Sequence, residues 1–328
     1  MIRRAVVVSA CATVLLVGPV PPALADPAGP TDYRTNVVSI DPEVPGLRVT
    51  VIGGDSFIGL AVDPGSTVEV VGYRGEPYLR FLPDGTVERN ERSPSTYLSD
   101  DRYAEVEVPA EATPDAEPVW EVVATDGSYA WHDHRAHWMN ESRPPGRAPG
   151  DRILEGVVPL VVDGIDVDVA VDSVWVPSPS PLPVVLGAAA GGLLAAAAIL
   201  MRRPALTLAG LAAIALTLGI GAFASVPAET APSPLMWAAP AVAVALAAIA
   251  AAAARRSASL ASMLVVVVAA GLVVWGVLRW DWLWSALIPT DLPFWLDRAG
   301  AAAVLAGALG VGTVAVARIA RSGNAYSS

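Results

Sequence analysis

The chain has no lysine, three histidines and one cysteine, and only 16% of its 328 residues are charged. Each scarcity excludes something. A lone cysteine builds no disulfide framework within the chain and no Fe–S cluster, and if it is lost with an N-terminal signal, blue-copper and thiolate zinc sites are excluded as well. A net charge of −11 without a lysine removes the basic face that nucleic acid needs in place of its counterions, so nucleic acid is excluded as a partner. Scarce charge together with 54% hydrophobic residues does not describe one soluble globule. Such a globule carries about 45–50% apolar and about 25% charged residues.

The charge that is present is unevenly placed. Residues 26–180 hold 28 acidic side chains against 11 arginines, a net charge of −17, and the remainder carries +6. Arg3 and Arg4 precede an apolar run from Ala5 to Val20, and Ala23-Leu24-Ala25 offers small residues at the cleavage positions. Residues 1–25 therefore read as a secretory signal peptide with Asp26 as the mature N-terminus. Val8-Ser9-Ala10-Cys11 also matches a lipoprotein box, but the apolar stretch ahead of Cys11 is short and the run continues past it. Removal of the signal leaves a chain without thiols, and a 155-residue outer domain is large enough to fold without staples.

From Pro183 onward, five apolar runs are each long enough to cross a bilayer. They lie near 183–201, 205–224, 235–254, 259–278 and 299–317. Arg202-Arg203, Arg255-Arg256 and Arg318 with Arg321 follow the first, third and fifth runs, so all three groups share one side. The positive-inside tendency makes that side cytoplasmic and places residues 26–180 outside the cell. The run interiors lack Asp, Glu, His and Arg, which argues against a proton-coupled transporter or an ion channel. Gly187 and Gly191 form a G-x-x-x-G, and Ala303, Gly307 and Gly310 recur in the last run; this suits close packing inside one bundle, with a homodimer face as the alternative. Between the fourth and fifth runs, Trp280, Trp282, Trp284 and Trp295 suit a short interfacial element, with Asp281, Asp291 and Asp297 available to balance Arg279 and Arg298.

Residues 36–177 alternate like strands. Leu47–Val51, Thr67–Val70 and Tyr103–Val108 show a period of two, as half-buried antiparallel strands require. Asp163-Gly164 predicts a two-residue hairpin turn between Leu160–Val162 and Ile165–Val171. Residues 89–119 and 140–150 read as surface loops, and Pro177–Pro181 reads as a stiff linker. Short strands at this spacing predict an immunoglobulin-like β-sandwich, followed by an all-α bundle of five transmembrane helices from residue 181 to a short cytoplasmic C-terminus.

One segment has the residue types for chemistry: Trp131-His132-Asp133-His134-Arg135-Ala136-His137-Trp138-Met139 holds every histidine of the chain. On extended backbone His132 and His134 share a side, and a turn at Arg135-Ala136 would bring His137 and Met139 back to it. Three imidazoles suit zinc or copper, and a thioether beside them leans towards copper. Asp133 would then orient an imidazole from behind. The competing reading is a hydrogen-bonded knot of His, Asp, Arg and Trp that closes the sandwich. A pH-responsive histidine cluster is a third.

With Val71-Gly72-Tyr73-Arg74-Gly75-Glu76-Pro77-Tyr78-Leu79, this block resembles uncharacterised membrane proteins of high-GC Gram-positive bacteria. The resemblance covers most of residues 33–177 and implies a location and a layout. The layout is also loosely similar to copper-resistance proteins that join a small β-sandwich to a membrane partner, although those partners present His or Met within the bilayer and no run here contains His. The expectation is a non-enzymatic envelope protein of the plasma membrane, with an outer domain that binds copper, or less favourably zinc, through His132, His134, His137 and Met139. The alternative is an interaction or assembly module for an unidentified membrane or envelope protein, with the cluster structural.

Overall fold

The computed structural model of the chain describes residues 28–230 and 232–324. The signal segment, the lipoprotein box and Cys11 lie outside those residues. The first half forms ten strands: β1 (Tyr33–Asp41), β2 (Leu47–Ile52), β3 (Phe57–Val62), β4 (Val68–Val71), β5 (Pro77–Phe81), β6 (Val87–Asn90), β7 (Trp120–Ala124), β8 (Ser128–Trp131), β9 (Arg152–Val162) and β10 (Ile165–Trp175), with a one-turn helix α1 (Pro94–Leu98). A seven-stranded sheet runs β1-β10-β9-β4-β5-β6-β7, a three-stranded sheet runs β2-β3-β8, and all pairs are antiparallel.

The longest hairpin is β9–β10. Asp163 and Gly164 both adopt positive φ, +50° and +81°, as a primed two-residue turn demands, and Val162 faces Ile165 across it. From there Val167, Val169 and Val171 point inward while Asp166 and Asp168 stay in solvent. These valines meet Val68, Val70, Leu79, Phe81 and Val87 of the same sheet and Ile58, Leu60, Tyr129 and Trp131 of the smaller one. Each such side chain contributes about 1.5–3 kcal/mol on full burial, which makes this shared core the main force joining the two sheets.

Two expectations fail between β6 and β7. Tyr103–Val108 alternates in sequence but is not a strand. The Asp101 carboxylate accepts from the backbone N–H of Tyr103 (2.9 Å) and Glu105 (2.8 Å), so the chain wraps around that side chain instead of joining a ladder. Residues 89–119 are also not simply surface loop. Ser93 caps α1 with Pro94 at its first position, and Ser93, Ser95 and Thr96 are buried. Glu76 accepts from Ser93 Oγ at 2.9 Å and Ser95 Oγ at 2.7 Å, and Thr96 Oγ1 donates to the Asn90 carbonyl at 2.6 Å.

The second half is five long apolar helices: α2 (Leu182–Leu200), α3 (Pro204–Ala224), α4 (Leu235–Ala253), α5 (Ala258–Leu278) and α6 (Phe294–Asn324). Their length and composition suit a lipid bilayer. The G-x-x-x-G is spent inside the bundle, since a Cβ at Gly187 or Gly191 would collide with the backbone of Ala299 or Ala303 on α6. The sequence misjudged the start of the last helix: α6 begins at Phe294, so Asp297 and Arg298 sit in its first turn and are buried. Asp297 accepts from Arg279 Nη2 through both oxygens at 2.9 Å, and Arg279 lies 3.9 Å from the ring centre of Trp282. Trp282 is correspondingly buried, whereas Trp280, Trp284 and Trp295 remain exposed.

The β-domain is seated on this end of the bundle. Thr31 and Leu287 exchange two backbone hydrogen bonds (3.0 and 2.9 Å), and the Ala286 N–H donates to Asp32 Oδ1 at 2.8 Å. Arg298 Nη2 donates to the carbonyls of Ser285 (2.7 Å) and Ala286 (3.0 Å), which fixes the same loop from below.

Candidate functional site

Strand β8 ends at Trp131, and His132–Met139 continues across the seven-stranded sheet without regular structure. Two anchors hold it down. Thr35 Oγ1 of β1 donates to the Ala136 carbonyl at 2.5 Å. Under the segment lies Gly156 of β9, where any Cβ would run into the Arg135 carbonyl. A glycine inside a strand is explained by this close approach of a second backbone.

Within the segment, charge is neutralised locally. Asp133 is fully buried and accepts four hydrogen bonds: from the Arg135 N–H (3.0 Å), Arg135 Nε (2.8 Å), Arg135 Nη2 (2.7 Å) and Trp131 Nε1 (3.0 Å). Burial pushes its carboxyl up, but the Arg135 hydrogen bonds and charge outweigh that and hold it below the usual aspartate range. The sequence reading gave Asp133 to an imidazole; the structure gives it to Arg135 and Trp131. Arg135 in turn donates through Nη1 to the Val71 carbonyl at 3.0 Å and lies 5.0 Å from the centre of the Tyr73 ring.

The three imidazoles do come together. His132 stacks on Phe57 at 4.4 Å between ring centres, and His134 lies parallel to Tyr73 at 5.1 Å. His137 stands 5.6 Å from His132 and 5.4 Å from His134. His134 Nε2 donates to the Asp101 carbonyl at 2.9 Å and His137 Nδ1 donates to the Trp138 carbonyl at 3.2 Å. A carbonyl can only accept, so these contacts set the tautomers and leave His137 Nε2 as a lone pair. That nitrogen is buried without a hydrogen-bond partner among the described residues. Trp138 Nε1 donates to the Ser142 carbonyl at 2.8 Å and carries the chain outward, where Met139 is half-buried. Among the described residues, no group of three or more His, Cys, Asp or Glu side chains is arranged to hold a metal ion.

Burial lowers the basicity of two of these imidazoles. His134 is pushed below the ordinary histidine value, and His137 is pushed down to about 3 by burial and by the nearby charge of Arg102. An imidazole of that basicity is a poor general base at neutral pH. The same depression predicts a pH dependence. Below the unfolded value near 6.5 the unfolded chain binds protons that the folded His137 refuses, so stability falls as pH drops from about 6.5 towards about 3. The slope contributed by His137 is at most about 1.4 kcal/mol per pH unit. Unfolding midpoints measured between pH 7 and pH 4.5 should show this decline, and it should flatten in His137→Gln.

His132 also borders an open cleft of about 400 Å³, with Thr31, Tyr33, Arg102, Arg143 and Ser285 around it. Arg102 Nη2 pairs with the buried Asp55 carboxylate at 2.5 Å, and Arg143 lies 5.6 Å from the Trp175 ring centre. The cleft opens where the β-domain meets the loop before α6. Imidazole, guanidinium, phenol and carboxylate groups, the last from Asp32 and Glu141, line it together.

Several working residues escaped the sequence reading. Tyr73, Thr35, Phe57, Asp101 and Gly156 all come from other strands or loops, and only the block containing Tyr73 stood out beforehand. No known protein family, curated protein or solved structure matches the chain.

Proposed function

We propose that this chain is a multi-pass envelope protein whose β-domain, immunoglobulin-like in kind, faces the exterior and works without catalysis as an interaction module. The observation that carries this reading is Asp133. Both of its oxygens are engaged by Arg135 and Trp131, so the Trp-His-Asp-His-Arg segment builds the wall of the domain above the cleft. Support for the orientation comes from Arg202, Arg203, Arg255, Arg256, Arg318 and Arg321, which lie at helix ends remote from the β-domain and favour the cytoplasm. The net charge of −17 over residues 26–180 favours a membrane or envelope partner with a basic contact face.

The second reading is metal binding by His132, His134, His137 and Met139, with copper ahead of zinc. What favours it is the buried His137 Nε2 lone pair, because metal-bound histidines commonly fix their other nitrogen on a carbonyl. Metal analysis and thermal unfolding of the full-length protein in detergent decide between the two. The interaction reading expects no stoichiometric copper or zinc, and a fall in midpoint of about 5–10 °C in His132→Ala/His134→Ala as ring packing is lost. Stoichiometric metal that disappears in the double variant would replace it with the metal reading.

A further inference from the structure

The seam between the β-domain and the helices leaves a second groove, of about 330 Å³. One wall is the start of β1, with Arg34 and Asn36, and the turn between β2 and β3; the other is the loop Leu287–Asp291 with Phe294. Ser225, which caps the C-terminus of α3, also lines it. The groove therefore sits level with the ends of two membrane-length helices. The exposed rings of Trp280, Trp284 and Trp295, on the loop between α5 and α6 and the first turn of α6, mark the same level. In a bilayer that is the depth of the headgroups.

We propose that this groove seats the phosphodiester of a membrane glycerophospholipid, with Arg34 as its cationic partner. Three features select that ligand. Arg34 is exposed and makes no ion pair among the described residues, although its domain holds 28 acidic side chains that could have neutralised it. A free guanidinium in so acidic a domain, at headgroup depth, is placed for phosphate oxygens. The lining is also divided: Thr290 offers a hydroxyl and Asn36 the amide proton left over from its bond to Asp172 Oδ1 (3.0 Å), whereas Leu287, Ile288 and Phe294 offer apolar surface to the glycerol and upper acyl chain. Asp291 at the groove disfavours a free phosphate dianion but tolerates a singly charged diester. A consequence follows for the domain: lipid in this groove would hold an acidic module against a membrane that otherwise repels it.

Native mass spectrometry of the full-length protein tests this. The protein is delipidated in a non-phospholipid detergent and titrated with phosphatidylglycerol, with diacylglycerol, and with inorganic phosphate. Wild type and Arg34→Lys are expected to bind phosphatidylglycerol alike, Arg34→Gln to bind it about tenfold more weakly, and diacylglycerol to bind no better than Arg34→Gln binds the phospholipid. Arg48→Gln, which removes another exposed arginine of the domain, should behave as wild type. Undiminished phosphatidylglycerol binding by Arg34→Gln, or equal binding of diacylglycerol, would overturn the proposal. Equal binding of inorganic phosphate would also overturn it, by reassigning the groove to a free anion.

Discussion

Asp297→Ala is expected to destabilise the helical bundle by about 3–5 kcal/mol, the usual cost of stripping one partner from a buried ion pair. Asp297 has no exposure and Arg279 is 5% exposed, so water cannot take over when the carboxylate leaves. Arg279 already has Nε and Nη1 without a hydrogen-bond partner among the described residues. Its charge is met by the two Asp297 oxygens and by the faces of Trp282 and Trp275, at 3.9 and 5.1 Å. Removing the carboxylate leaves a guanidinium against aromatic rings, in a wall that cannot rearrange without exposing Trp282. The loop that carries the β-domain starts at this pair, so the seam should loosen too. Denaturant unfolding in detergent measures the first effect, and protease sensitivity of residues 177–181 measures the second. Arg279→Met/Asp297→Leu removes both charges and should recover most of the loss, because the penalty belongs to the unpaired charge. A single variant as stable as wild type would show that the pair is not closed to water.

The second large effect is expected from Gly187→Leu/Gly191→Leu. Lipid chains are as apolar as leucine, so helix association in a membrane depends on close packing of small residues. At both glycines the backbone of α6 occupies the place a Cβ would need, at Ala299 and Ala303. Backbone cannot rotate away like a side chain, so α2 has to move off α6. Gly310 repeats the contact from the other side, with its would-be Cβ 2.7 Å from the Ala195 methyl. A loss of about 2–4 kcal/mol is expected, in the range of severe overpacking. Gly192, which has open space around its Cβ position, is the control: Gly192→Leu should leave the unfolding curve nearly unchanged.

Some of this was legible from residue order. The β9–β10 hairpin follows from a local rule, because only a turn with two positive φ values joins those strands and Asp-Gly supplies it. The five helices follow from run length against bilayer thickness. The gathering of the three histidines could be expected from their spacing of two and three residues. Their partners could not, because Phe57, Tyr73 and Asp101 lie at least 31 residues upstream of His132 and meet His132 (Phe57) or His134 (Tyr73 and Asp101) only once the domain has folded. Tyr103–Val108 misled for a related reason: alternation needs a neighbouring strand to become a strand, and Asp101 captured the backbone first.

The sequence alone determined that this chain divides into an acidic half rich in strands and an apolar half of five helices, since period, run length and charge are properties of neighbours along the chain. Tertiary structure decided the rest. Whether Asp133 serves an imidazole or Arg135, whether G-x-x-x-G faces α6 or another molecule, and where Asp297 finds its cation all depend on which distant backbones approach. Hydrogen bonds and ion pairs act over a few ångströms, and residue order does not contain those distances.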